Sequence, residues 1–269
     1  MRILALAAED WEQFVVLATA EGWKIPFQEQ RLFQNQWRPC FFVLKERGRS
    51  CGFISAVAYQ SSGWIGNLLV APQQRGKGYG AALLDFALAL LRQSQLQRIW
   101  LTASSQGAPL YLKRGFAIVD RVERWSAQGK AVGNDFAADS DPVQLTELDC
   151  RCWGESRTPL LKHLCADGTI IASGHSQALL QAGVEFWQMG PWLSSGSAPA
   201  DDRSIPLRAL QTTPAEKMLV TDILRSAGQT LNLRRAGFSR SGSNELMCLS
   251  MKPVHLTGVM ALASLGSIG

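Results

Sequence analysis

A mixed α+β fold, with a largely antiparallel sheet flanked by helices and two such units in tandem, is what this sequence predicts. Three observations carry the expectation. Residues 41–70 hold three strand-like runs joined by short turns, a glycine-rich loop links the third run to an apolar helix, and the order of elements in the first half roughly recurs in the second. Short connections make neighbouring strands antiparallel, whereas a strand followed by a loop and a helix calls for a crossover to a parallel neighbour.

In chain order, Met1–Leu6 alternates weakly and reads as a first strand. Ala8-Glu9-Asp10 opens an amphipathic helix with Trp11, Phe14, Val15, Leu17 and Ala18 on its apolar side, stopped near Gly22. A second short helix is expected over Gln28–Gln36. The strands Phe41–Lys45, Gly52–Tyr59 and Trp64–Val70 are separated by the turn-forming Arg47-Gly48-Arg49 and Ser61-Ser62-Gly63. After the glycine loop, Ala81, Leu83, Leu84, Phe86, Ala87, Leu90 and Leu91 form the apolar stripe of a helix whose natural place is the core. A strand at Arg98–Leu101, a short helix near Gly107–Lys113 and a strand from Phe116 to about Glu123 complete the first half. Residues 126–141 are small and polar, a linker composition. The expected division is therefore a first unit over 1–127, a linker over 128–140 and a second unit over 141–269. In the second unit a helix is expected at Leu160–Cys165, strands at Thr169–Ser173, Val184–Gly190 and Met218–Leu224, a helix at Ser226–Ala236 and a strand at Ser243–Met251.

With 269 residues, 46% of them hydrophobic and 18% charged, the chain has apolar mass for two ordinary cores. No apolar run approaches the ~20 residues that span a bilayer. The apolar N-terminal stretch turns acidic at Glu9 and Asp10, too soon for a signal-peptide core, so the expected compartment is the cytoplasm and no membrane partner is expected. Cysteines 40, 51, 150, 152, 165 and 248 follow no zinc spacing and are read as reduced small hydrophobes; no metal is expected. The three histidines have no partner pattern of a nucleophile or a ligand.

Residues 1–125 hold 15 Lys/Arg against 9 Asp/Glu, while the remainder holds 12 against 13. A basic first half suits a polyanionic ligand. The charges form no stripe and no groove-binding motif accompanies them, so nucleic acid is not expected.

Arg75-Gly76-Lys77-Gly78-Tyr79-Gly80 lies between a strand and a helix. Small residues there let successive backbone N–H groups curl round an anion, and the helix N-terminus adds partial positive charge, a chemistry suited to pyrophosphate. Gly76-x-Gly78-x-x-Ala81 satisfies the dinucleotide pattern on paper. The next strand, however, ends Leu101-Thr102-Ala103 with no acid for a ribose, and the preceding strands read as antiparallel. A Walker loop requires Gly-Lys-Ser/Thr, and Gly80 is followed by Ala81-Ala82. Both readings fail.

Val70-x-Pro72-x-x-Arg75-Gly76-Lys77-Gly78-Tyr79-Gly80-x-x-Leu83-Leu84 resembles the acetyl-CoA loop of the GNAT N-acetyltransferases, and Leu110-Tyr111-x-Lys113-x-Gly115-Phe116 resembles that superfamily's second landmark at the usual distance. The chain further resembles a two-domain bacterial subgroup with a GNAT-like C-terminal half. Glu21-Gly22-Trp23, Trp64-Ile65-Gly66 and Ala103-Ser104-Ser105-Gln106-Gly107 carry that likeness in the first half. Gly154-x-x-Arg157-x-x-Leu160-Leu161, Met189-Gly190-Pro191-Trp192 and Arg235-Ala236-Gly237-Phe238 carry it in the second.

The resemblance implies that backbone N–H groups of Arg75, Gly76, Lys77, Gly78, Tyr79, Gly80 and Ala81 hold a pyrophosphate, that Leu68, Leu69 and Val70 bond a pantetheine arm, and that Ser104 belongs to the same cofactor site. It implies Tyr111 as the general acid. Many members carry a glutamate on the strand before the loop, but Trp64–Val70 has none and Asn67 is its nearest polar residue. That leaves a water relay or an acid from elsewhere: Glu21 and Glu29, which flank the segment resembling the substrate-side loop, are the candidate bases, against a reading of each as a solvated helix charge; Trp23, against a core role, and Asn67 are the candidate acceptor contacts. The implied reaction transfers an acetyl or short acyl group from acetyl-CoA to a primary amine of a small molecule or peptide, by a monomer or homodimer. The competing reading is a CoA-binding sensor or interaction module without turnover. Ser194–Asp202, at the place of the second half's glycine loop, carries Asp201 and Asp202, which would repel pyrophosphate, so one cofactor per chain is expected, with the second half walling the acceptor cleft.

Overall fold

The apolar runs that read as strands become the interior of a twelve-stranded sheet. The computed structural model describes residues 1–131, 141–196, 204–250 and 256–269. The first half runs β1 (Arg2–Ala5), α1 (Ala8–Ala20), α2 (Phe27–Gln34), β2 (Phe41–Glu46), β3 (Arg49–Ala58), β4 (Ser62–Val70), α3 (Tyr79–Arg92), β5 (Arg98–Ala103), α4 (Ala108–Leu112) and β6 (Ala117–Gln128). The second runs α5 (Pro142–Trp153), α6 (Thr158–Cys165), β7 (Gly168–Ser173), β8 (Ser176–Gln181), β9 (Phe186–Ser194), α7 (Ser204–Thr212), β10 (Met218–Leu224), α8 (Thr230–Ala236), β11 (Ser239–Ser250) and β12 (Val259–Ala261).

The expected mixed α+β architecture is the observed one. Every first-half element appears where its periodicity placed it, although β6 extends to Gln128 rather than stopping near Glu123. Four second-half elements, α5, β8, α7 and β12, were not anticipated, and β9 begins and ends later than the expected strand. The helix expected over Ser226–Ala236 is split: a 3₁₀ turn at Arg225–Ala227 precedes α8, because Gly228 adopts a left-handed φ of 69° between them. The expected linker begins at the last residue of β6, and its residues 132–140 lie outside the described part, as do Asp201, Asp202 and His255.

The strand order is β1-β2-β3-β4-β5-β11-β6-β10-β12-β9-β8-β7. It is nearly palindromic, and the two halves exchange their last long strands at the centre. β11 lies antiparallel to β5 from Glu245↔Ala103 to Ser250↔Arg98, while β6 lies antiparallel to β10 from Met218↔Gln128 to Leu224↔Val122. Between them β11 and β6 pair along nearly their whole length. Ladder bonds therefore cross from one half to the other without interruption.

The helices divide between the two faces. On one, α1, α2, α5 and α6 share a single core in which Phe14, Phe33, Phe41 and Trp64 meet Trp153, Leu148 and Leu161. On the other, α3 and α4 cover the first half with Leu83, Leu84, Ala87 and Tyr111, and α7 and α8 cover the second with Ile205, Leu210 and Leu233. The shared core is pinned by polar contacts. Glu155 accepts from the backbone N–H groups of Ser61 (2.5 Å) and Ser62 (2.9 Å) at the β3–β4 turn. Arg157 pairs with Asp149 through Nε (3.1 Å) and Nη2 (2.6 Å), and its guanidinium lies 4.0 Å from the Trp153 ring centroid.

The central difference between the halves lies where each sheet splays. β4 and β5 are parallel neighbours only from Ser62↔Arg98 to Trp64↔Trp100 and then diverge. Their counterparts β9 and β10 pair from Phe186↔Met218 to Gln188↔Val220. There the gap is filled by β12, which joins Val259 to Leu193 and Ala261 to both Trp192 and Ile223. The chain then returns to the first half, where Gly266 O accepts from Trp64 Nε1 (3.2 Å) and Thr102 Oγ1 (3.1 Å). One gap is filled by protein and the other opens as a cavity.

Candidate active site

The cavity between the diverging ends of β4 and β5 holds about 250 Å³ and runs through the sheet. Tyr111, Leu110 and Gly107 from the α4 side line one end; Trp23, Lys24, Ile25 and Glu29 from α2 and the turn before it line the other, with Arg124, Asn244 and Leu265–Ser267. The tail passes so close to β4 that a Cβ on Gly66 would meet Ser267 O at 2.3 Å, so only glycine permits this wall.

β4 is bulged at this point. Leu69 faces Phe53 and Gly66 faces Ser55, so Asn67 and Leu68 together oppose Ile54 alone. Asn67 takes the left-handed conformation, φ 54°, and its Nδ2 donates to Ser55 Oγ (3.1 Å). Its side chain is thus committed within the sheet, and the bulge breaks the ladder beside the cavity. Of the three residues expected along the pantetheine arm, Leu68 lines the cavity; Leu69 is buried in the shared core and Val70 packs against α3's core.

The glycine loop lies at the end of β4. Gly76 (φ 77°) and Gly78 (φ 81°) both adopt conformations that only glycine takes without strain, and open space lies where a side chain would stand. Gly78 caps α3 with no side-chain hydrogen bond, so no capping side chain occupies the helix's first N–H groups, a geometry suited to an anion. Lys77 Nζ donates to Gln74 Oε1 (2.8 Å). Tyr79 is packed in the core with its hydroxyl bonded to Glu46, so only its backbone faces the loop; Gly80 and Ala81 continue into α3's first turn. Ser104 Oγ accepts from Gly107 N (3.2 Å), orients the start of α4 and lines the cavity.

The structure separates the two candidate bases. Glu21 pairs with Arg75 Nη2 at 2.5 Å, lies on the loop side and is not among the cavity-lining residues. Glu29 is buried in the cavity wall, with Oε2 making no hydrogen bond among the described residues. Loss of solvent pushes its carboxyl up to about 7 from an ordinary 4.5, opposed by the neighbouring Ser267 side chain and by Arg124. Although Ser267 lies close enough to favour the charged form, neither Ser267 Oγ nor Glu29 Oε2 completes a hydrogen bond of normal geometry. A carboxyl titrating near neutrality can take a proton at the pH of the cell.

Tyr111 is buried, lines the same cavity and has no hydroxyl partner among the described residues. Burial pushes its phenol well above the usual range, so it carries its proton at neutral pH. Trp23, 37% exposed, stands at the mouth with its ring 6.4 Å from Phe14.

The first half matches the family model of the Acetyltransferase (GNAT) family over residues 3–116. This segment is a GNAT acetyltransferase domain. The glycine loop, the splayed β4 and β5 and Tyr111 all lie within the matched residues. Across 98% of the chain the fold resembles that of a Pyrococcus horikoshii protein assigned as an acetyltransferase, with a TM-score of 0.77, 20% identity and 95% of that chain covered. A GCN5-related N-acetyltransferase from Sphaerobacter thermophilus covers 94% of this chain and 96% of its own, at TM-score 0.62 and 13% identity. At such identities the likeness is one of fold, and it extends over both halves. No curated protein matches the sequence. Among the described residues no helix is long and apolar enough to cross a membrane, and no cluster of metal-ligating side chains occurs.

No motif in the sequence marks Arg124, which lines the cavity. Its Nε and Nη2 donate to Asp222 at 2.8 and 2.7 Å, and Nη2 also donates to Leu265 O at 2.9 Å. The available signal was Asp222 itself, a lone acid inside the apolar strand Met218–Leu224 that demands a buried partner.

Proposed function

We propose that the protein transfers an acetyl or short acyl group from acetyl-CoA to a primary amine, with Glu29 as general base and Tyr111 as general acid. The observation that carries this reading is that both groups line one cavity, Tyr111 at one end and Glu29 at the other, beside the bulged strand of a GNAT domain. The open glycines and the uncapped start of α3 fit a pyrophosphate. The backbone at Arg75–Ala81 would hold it, Leu68 would flank the arm, and the thioester would supply the acyl carbon. In the transfer one C–S bond is exchanged for one C–N bond; the amine gives up a proton as the departing sulfur gains one.

Glu29, held near neutrality by burial, takes the amine's proton. Tyr111, kept protonated, supplies the other and regains it from solvent. Backbone N–H groups at the Asn67–Leu68 bulge, where the ladder register breaks beside the cavity, would polarise the thioester carbonyl. The second half would hold no cofactor, since β12 occupies its corresponding gap; its role would be to wall the acceptor end.

Calorimetry with acetyl-CoA tests the cofactor assignment: wild type should bind one equivalent, and Gly78→Glu should abolish binding by placing a charged side chain in the cradle. Two equivalents, or undiminished binding by the variant, would refute it. Tyr111→Phe should lower kcat by about 10²-fold with little change in acetyl-CoA affinity. An unchanged kcat would remove Tyr111 from the chemistry and favour the reading in which the protein binds CoA without turning it over.

A further inference from the structure

We infer that the acceptor is a small amine bearing its own carboxylate, and that Arg124 is the residue that selects it; this rests on the acyltransfer reading of the cavity. The charged residues lining the cavity are Lys24, Glu29 and Arg124, two cations and one acid. If the acid accepts the proton of the reacting amine, no carboxylate remains among the lining residues to hold a second ammonium group. A polyamine or aminoglycoside would thus bring surplus positive charge to a site already positive, whereas an acceptor carrying an anion would complement it.

Arg124 is built to bind on one side and present the other. Asp222 and Leu265 O engage Nε and Nη2. Nη1 has no partner among the described residues, and the side chain is 21% exposed beside the cavity it lines. The fork on Asp222 fixes the guanidinium plane, so a ligand carboxylate meets a donor already oriented. Asn244 lines the same end from β11. Asp222 itself is buried and is not among the lining residues, so it anchors Arg124 without competing for the acceptor. Because Arg124 lies on β6 and Asp222 on β10, directly opposite in register, the second half would set specificity by orienting a first-half side chain.

The test uses the full chain and matched pairs, free amino acids against their carboxamides, with spermidine and an aminoglycoside as polycations. Acetylation is followed by CoA thiol release, and binding to the CoA-saturated protein by thermal shift. The free acids should exceed their amides in kcat/KM, and in affinity, by about tenfold or more, the worth of a charge-assisted hydrogen bond. Arg124→Gln should erase that preference by raising KM for the acids. Arg124→Lys, which keeps a charge on Asp222, should erase it while the fold survives. Amides or polycations that bind or react as well as the acids would overturn the inference, whatever the turnover. Acids that bind selectively but are never acetylated would refute the acyltransfer reading and leave the carboxylate selectivity standing.

Discussion

Glu29→Gln should lower kcat by about 10²–10⁴-fold while making the protein more stable above neutral pH. Both effects follow from one fact, a buried carboxyl whose ionised form lacks a full set of partners. In the wild type the rate should rise with pH through about 7 as Glu29 loses its proton. The variant should lack that limb, whereas any limb belonging to the acceptor's own ammonium group should persist in both.

The stability effect has the opposite sense. In the unfolded chain the carboxyl gives up its proton near 4.5, and in the folded chain near 7, so between these values the folded state binds more protons. Stability therefore falls as pH rises through that window and stays lower above it, by up to about 3 kcal/mol. Glutamine, which has no charge to bury, escapes the penalty. Thermal melts of both proteins at pH 5 and pH 8 check this: the glutamine variant should gain on the wild type at the higher pH. A variant with wild-type kcat would dismiss Glu29 as the base, and parallel melting curves at the two pH values would dismiss its raised pKa.

Arg157→Leu should produce the largest loss of stability. Arg157 and Asp149 are both 1% exposed and sit in the core shared by the two halves. Truncating the cation leaves an ionised Asp149 without its partner, a mechanism that costs about 3–5 kcal/mol. It also removes the stacking on Trp153. The expected fall in Tm is on the order of 10 °C. Changing Asp149 to leucine in the same chain should recover much of the loss, because two apolar groups replace a pair whose desolvation was expensive from the start; Arg157 Nη1 makes no hydrogen bond even in the wild type. A fall below 1 kcal/mol for the single variant would mean that water reaches Asp149 and that the halves are held mainly by their apolar contacts.

Local features of the sequence were sufficient where the governing interactions are local. The β3–β4 turn, the loop at Arg75–Gly80, the stripe of α3 and the short helix holding Tyr111 depend on turn chemistry, left-handed glycines and helical spacing, all set by residues a few positions apart. Helix α5 carries a good cap, Asp141 accepting from Val143 N at 2.8 Å, but its start adjoins a long polar stretch and its buried face, Leu145, Leu148, Cys152 and Trp153, is interrupted by the acid Asp149, which blurs the helical pattern.

Tertiary structure alone decided the rest, because burial and pairing there are made by residues far apart in the chain. Glu21 and Glu29 look alike as helix-flanking acids, yet Glu21 meets Arg75 and Glu29 meets Ser267. The strands exchanged at the centre of the sheet depend on β6 and β11 finding partners in opposite halves, which no periodicity encodes. Arg124 becomes a candidate recognition residue only because β10 brings Asp222 beside it, and the cavity lies in the first half because β4 and β5 part after Trp64↔Trp100 whereas β12 fills the space between β9 and β10. The sequence by itself determined the first-half elements and the left-handed glycine loop ahead of α3; long-range packing determined which acid was stripped of water.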